Sequence, residues 1–100
     1  MTYQVIVSPG FKKEFYKLPN TIQERVKKIL KKLEINLCGD PLQGDLQGFY
    51  CIHFENNKYR LIYVKEDNIL KVMAIHIGKR TNRFYKEFKE ELKRRRKLIS

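Results

Sequence analysis

The chain has 100 residues with 22 Lys+Arg against 11 Asp+Glu, a formal net charge of +11, and 42% of its residues are hydrophobic. That apolar fraction and the 12% aromatic content exclude intrinsic disorder, the length predicts one domain over 1–100, and apolar runs such as Val72 to Ile75 are far too short to span a bilayer. The opening Met1-Thr2-Tyr3-Gln4-Val5 has neither the basic region nor the apolar core of a signal peptide, so Cys38 and Cys51 are expected to be free thiols in a reducing cytoplasm.

Tyr3 to Val7 is rich in β-branched and aromatic residues and predicts a strand. It ends at Ser8-Pro9, where a serine cap and a proline at the first helical position predict a helix start. Phe11, Phe15 and Leu18 recur at helical spacing until Pro19-Asn20 interrupts. Thr21-Ile22-Gln23-Glu24 then reads as a capping box opening a longer helix, with Ile22, Val26, Ile29, Leu30, Leu33 and Leu37 on one stripe. Residues 38–49 hold three glycines and a proline without sustained period and predict a loop. Gly39 and Gly44 have the spacing of a phosphate-binding loop, but no Gly-Lys-Ser/Thr follows.

Tyr50, Ile52 and Phe54 alternate with Cys51, His53 and Glu55, and Asn56-Asn57 suits a two-residue turn before a second strand from Lys58 to Val64. A last strand, Ile69 to Ile77, follows the polar turn Glu66-Asp67-Asn68. A third helix, capped near Thr81 or Asn82, aligns Phe84, Phe88 and Leu92 and ends in a basic run, Lys93 to Lys97. The order β-α-α-β-β-β-α predicts an α+β fold: a small antiparallel sheet covered by an N-terminal helical hairpin, with a C-terminal basic helix.

The charge is concentrated. Phe11 to Leu33 carries +6 and Lys79 to Lys97 carries +7, whereas Glu34 to Gly78 carries −2. Two basic helical stretches around a balanced centre suit a polyanion, nucleic acid first, through counterion release. Solvated helix faces or an acidic protein partner are the other readings of that pattern.

A two-residue turn at Asn56-Asn57 fixes the hairpin register, placing His53 opposite Arg60, Ile52 opposite Leu61 and Cys51 opposite Ile62. Tyr50, Ile52, Phe54, Tyr59, Leu61 and Tyr63 then pack toward the helices, while Cys51, His53 and Arg60 face the other way. If the next turn is Glu66 to Asn68, Arg60 lies opposite Ala74 and His76 shares its face. A histidine beside arginines on a basic protein suits RNA cleavage. An imidazole ordinarily titrates near ~6.5, a guanidinium neighbour favours its neutral form, and arginine forks stabilise a phosphorane. The plainer reading is a solvated sheet face on which the two residues are merely neighbours. Cys51 reads as a small half-buried residue, and His76 as packed or hydrogen-bonded in the sheet. Cys51 and His53 at i, i+2 lack the third and fourth ligands of a metal site.

The Tyr3 to Ser8 opening, Lys17-Leu18-Pro19, Leu46-Gln47-Gly48, Tyr50-Cys51-Ile52, Tyr59-Arg60-Leu61-Ile62-Tyr63 and Ile77-Gly78-Lys79-Arg80 together resemble the RelE/ParE superfamily of toxin–antitoxin toxins, and within it RelE. The resemblance spans nearly the whole chain. It implies a cytoplasmic, ribosome-dependent mRNA endonuclease that inhibits translation by cutting A-site codons. Such an enzyme uses no metal or cofactor; the RNA's own 2′-hydroxyl attacks, leaving a cyclic phosphate and a 5′-hydroxyl. Arg60 and Arg80 fall on the family's active-site arginines, and Tyr85 corresponds to a tyrosine of the last helix, with spacing one residue shorter than RelE's. RelE carries two lysines where this chain has Cys51 and His53. His53 is therefore the candidate proton acceptor and Glu55 the reserve, with Lys58, Lys79 and Arg83 as candidate substrate-binding residues. The implied partners are a cognate antitoxin, the ribosome and mRNA, with no membrane and no small-molecule cofactor. A ParE-like gyrase inhibitor and an inactive binding protein of the same fold are the competing functions.

Overall fold

In the computed structural model the described residues are 2–36, 39–79, 81 and 83–99, with 67 and 94–99 described by backbone alone. Leu37, Cys38, Arg80 and Asn82, all named above, lie outside that set. The elements run β1 (Gln4–Val7), α1 (Pro9–Phe15), α2 (Asn20–Leu33), β2 (Asp40–Pro41), β3 (Phe49–Phe54), β4 (Tyr59–Glu66), β5 (Lys71–Lys79) and α3 (Phe84–Ile99), with single 3₁₀ turns at Gly44–Leu46 and Asp67–Ile69.

Ser8 caps α1 as its sequence predicts, its hydroxyl accepting from the Phe11 N–H at 3.1 Å. The capping box at Thr21 does not form, because α2 begins two residues earlier than a Thr21 cap would start it, at Asn20, with Pro19 in the cap position and no side-chain cap. Thr21 is thus already inside the first turn, and the Gln23 side chain instead donates to the Leu18 carbonyl at 2.9 Å.

The sheet order is β1-β5-β4-β3-β2. It is mixed rather than wholly antiparallel, since β1 runs parallel to β5 while the other pairs are antiparallel. The helices α1 and α2 carry the chain from β1 at one edge of the sheet to β2 at the other, and the antiparallel run from β2 to β5 brings it back beside β1. The stretch predicted as loop also contributes a fifth strand, β2. Gly39 precedes it at φ +123°, where an added Cβ would come within 3.1 Å of the Cys51 carbonyl oxygen and of Ile52. A glycine there lets the backbone close onto β3.

The two sheet faces bury separate cores. On one, Phe11, Ile22, Val26 and Leu33 of α1 and α2 pack against Ile52, Tyr59, Leu61, Tyr63, Val72, Ala74 and Ile77. Cross-strand aromatic pairs reinforce this face, with Tyr50–Tyr63 stacked at 5.3 Å and Phe54–Tyr59 at 5.7 Å between centroids. On the other, Phe84 and Phe88 of α3 pack with Leu46, Cys51, Ile62 and Ile75. Cys51 is fully buried there rather than half-buried, because α3 roofs the face that carries it.

Candidate active site

The β3–β4 hairpin has the register its sequence predicts, with His53 opposite Arg60 and Phe54 opposite Tyr59. Asn56 and Asn57 both adopt positive φ, 53° and 70°, and the Lys58 N–H donates to the Glu55 carbonyl at 3.0 Å. Positive φ at both central residues is the signature of the type I′ turn, which asparagine tolerates better than most side chains.

The β4–β5 pairing differs from the expected one. Strand β4 extends to Glu66, opposite Lys71, and a bulge interrupts the ladder between Ile62 and Tyr63, so Arg60 lies opposite Gly78 rather than Ala74. The bulge shifts parity by one residue. His76 therefore pairs with Ile62 and turns to the same face as Arg60, the face expected for it but through another register. There its ring packs against Phe84 and Phe88 at 4.9 and 5.3 Å. Burial pushes its titration below the ordinary 6.5, outweighing the opposite pull of Glu91, Glu14 and Glu87. Glu91 Oε2 lies 3.2 Å from Nδ1, at ion-pair distance but off the hydrogen-bond direction. His76 is a packed ring beneath α3, as the sequence reading has it.

Arg60, Tyr85 and Cys51 form a contiguous group. Phe84 anchors the start of α3 in the core over Gly78, 3.7 Å from where a side chain there would begin. The next residue, Tyr85, then stands beside Arg60, whose guanidinium carbon lies 5.1 Å from the Tyr85 ring centroid. That is cation–π distance. The Tyr85 hydroxyl donates to Cys51 Sγ at 3.6 Å. Burial pushes both the Tyr85 phenol and the Cys51 thiol above their ordinary values, so both are protonated at neutral pH. Cys51 is accordingly a packing residue and no nucleophile. Among the described residues the buried Arg60 Nε has no hydrogen-bond partner.

His53 stands at the open edge of this group. Its Nδ1 lies 2.8 Å from Asn57 Oδ1 and its Nε2 lies 4.0 Å from Asp40 Oδ2. Neither neighbour was singled out from the sequence. Asn57 read only as a turn residue, and Asp40 reaches His53 through the unpredicted β2, which pairs Asp40 with Cys51. Glu55, the reserve proton acceptor, is turned away. Its positive φ of 53° breaks the strand alternation, and its carboxylate holds Arg25 of α2 at 2.9 Å.

The remaining basic candidates divide. Lys58 and Lys79 line an open cleft of about 690 Å³ with Asn56, Asn57, Thr81 and the start of α2, while exposed Arg83 sits one residue before α3, its N–H on the Thr81 hydroxyl. Lys79 pairs with Tyr59, whose ring is in the α1/α2 core, so it faces away from Arg60. Arg80 lies outside the described residues. Among the described residues no group of three or more His, Cys, Asp or Glu side chains could hold a metal ion, and no helix is long and apolar enough to cross a membrane.

Toxins of toxin–antitoxin systems are among the solved structures with this fold. An arginine-to-alanine double mutant of E. coli RelE in the free state is 29% identical, with a TM-score of 0.71 over 87% of this chain and 94% of that one. A corresponding E. coli RelE mutant bound to an antitoxin RelB peptide is 30% identical, with a TM-score of 0.63 over 87% and 94%. The toxin–antitoxin complex RelBE2 of Mycobacterium tuberculosis shares the fold at 24% identity, with a TM-score of 0.72 over 80% and 93%. No curated protein sequence matches significantly. The family described as "ParE toxin of type II toxin-antitoxin system, parDE" matches residues 5–84. The chain belongs to the RelE/ParE superfamily of type II toxin–antitoxin toxins.

Proposed function

We propose that the chain is an endoribonuclease toxin that cleaves mRNA in the ribosomal A site and thereby arrests translation and growth. The observation that carries this reading is Arg60: a half-buried guanidinium held over the Tyr85 ring and placed opposite His53 across the ladder. A positioned cation is what a phosphate undergoing in-line attack requires, because its charge increases in the transition state.

The reaction assigned to this site needs no metal ion, since the RNA supplies its own nucleophile. The 2′-oxygen bonds to phosphorus as its proton passes to His53, and the bond from phosphorus to the 5′-oxygen breaks. The leaving oxygen takes a proton from Tyr85, whose burial keeps it a neutral phenol. A 2′,3′-cyclic phosphate and a 5′-hydroxyl result, with His53 returning its extra proton and Tyr85 regaining one from solvent. Arg80 is proposed from the RelE resemblance as a second phosphate-holding arginine. Lys58, Lys79 and Arg83 are proposed to bind flanking RNA. The basic helices give binding a steep salt dependence, with a log–log slope of about −0.7 per single-strand phosphate neutralised.

A cognate antitoxin is the proposed protein partner, supported by relatives solved as complexes with RelB-type antitoxins. The family match itself, to a ParE toxin, favours a second reading, inhibition of DNA gyrase. Expression of Arg60→Ala separates the two when combined with a supercoiling assay. The ribonuclease reading predicts that Arg60→Ala restores growth while folding normally and that the wild-type protein leaves gyrase active. Inhibited supercoiling with intact mRNA would establish the gyrase target instead.

A further inference from the structure

We propose that Asn57 is a positioning residue that fixes the tautomer of His53, leaving Nε2 as the nitrogen that takes the 2′-hydroxyl proton. This rests on the ribonuclease reading for its catalytic meaning, but the tautomer itself does not depend on that reading.

A neutral imidazole carries one N–H, and the partner of one nitrogen decides which nitrogen holds it. Asn57 Oδ1 lies 2.8 Å from Nδ1 of His53 and is an acceptor, so the proton sits on Nδ1. Nε2 keeps its lone pair. On that side Asp40 of β2 is 4.0 Å away, too far for a hydrogen bond but close enough to face the ring as a counter-ion once Nε2 gains a proton. Arg60 of β4 faces His53 across the ladder and supplies the phosphate-binding side of the site.

The backbone explains why a turn residue can do this. Asn57 occupies the second central position of the type I′ turn at φ 70°, four residues beyond His53, and the reversal of the chain brings its amide back over the imidazole. The same position tolerates glycine and, to a smaller degree, aspartate. This allows the acceptor to be deleted or retained without altering the turn. Asn57→Gly creates the favoured Asn-Gly pair and removes the amide, whereas Asn57→Asp keeps an acceptor oxygen.

The test is the two-bond ¹H–¹⁵N correlation spectrum of the histidine rings in the purified toxin at neutral pH. The chain has 2 histidines, so His76→Phe assigns the second ring. Wild type and Asn57→Asp are expected to show the His53 proton on Nδ1, and Asn57→Gly to lose that preference while its amide spectrum retains the hairpin register. In cleavage assays Asn57→Gly should lower kcat by between about 10-fold and about 10⁴-fold with KM unchanged, and Asn57→Asp should restore much of it. A wild-type proton on Nε2, or an unchanged tautomer in Asn57→Gly, overturns the proposal. Undiminished cleavage by His53→Ala instead overturns the catalytic role of His53 and leaves the tautomer result standing.

Discussion

Replacing Arg60 with methionine separates the stability of this fold from its proposed activity. Methionine retains most of the apolar stem while removing the guanidinium. The buried Nε, which meets no acceptor among the described residues, costs about 1–3 kcal/mol in the folded protein. The stacking of the guanidinium over Tyr85 at 5.1 Å returns about 0.5–2 kcal/mol. The difference leaves Arg60→Met more stable than wild type by about 1 kcal/mol, which for a domain of this size raises Tm by roughly 4–8 °C. Urea denaturation of both proteins measures this directly, with an unchanged m-value showing that the same surface unfolds. The same variant should lose about 10²–10³-fold in kcat, the usual consequence of removing a donor that stabilises transition-state charge. Destabilisation by more than about 1 kcal/mol would refute the reasoning, because it would mean that Nε is satisfied in the folded protein.

Tyr85→Phe keeps the ring under Arg60 but removes the hydroxyl; single-turnover cleavage should slow by about 10²–10⁴-fold with RNA affinity unchanged, and an unaltered rate would reduce Tyr85 to a stacking role. His76 is held neutral by burial, so the stability it contributes is present above its unfolded value of 6.5 and is lost as pH falls below it. His76→Phe should therefore lose less stability than wild type between about pH 7 and about pH 5, measured by thermal unfolding at each pH. Phe88 is 1% exposed and packs at 5.3 Å from both Phe49 and His76. Phe88→Ala should cost about 3–5 kcal/mol in chemical denaturation; a loss below about 1 kcal/mol would show that α3 contributes little to the core.

The hairpin was legible because local chemistry determines it. Asn56-Asn57 permits one tight turn, and alternation then assigns the paired side chains, Cys51 to Phe54 and Tyr59 to Ile62, to a face. The Ser8-Pro9 helix start was legible for the same reason. What escaped depends on distant contacts. The parallel pairing of β1 with β5 joins residues such as Val5 and Val72 that no local pattern relates. The bulge opposite Ile62 and Tyr63 leaves no mark in composition, yet it turns His76 toward α3. The burial of Cys51 follows from α3 folding back over a face whose own sequence, with His53 and Arg60, reads as open. Glu55 shows how far alternation holds: one residue at positive φ sends its carboxylate to Arg25 on the other side of the sheet. Asn57 and Asp40 reach His53 only through the folded turn and the short strand β2.

The most direct test of the ribonuclease reading is 5′-end mapping of a defined mRNA on programmed ribosomes with an empty A site, at constant magnesium, with the purified protein added. The account predicts cleavage inside the A-site codon, absent on naked mRNA and lost in Arg60→Ala. Intact mRNA on those ribosomes, or equal cutting of naked mRNA, would contradict it.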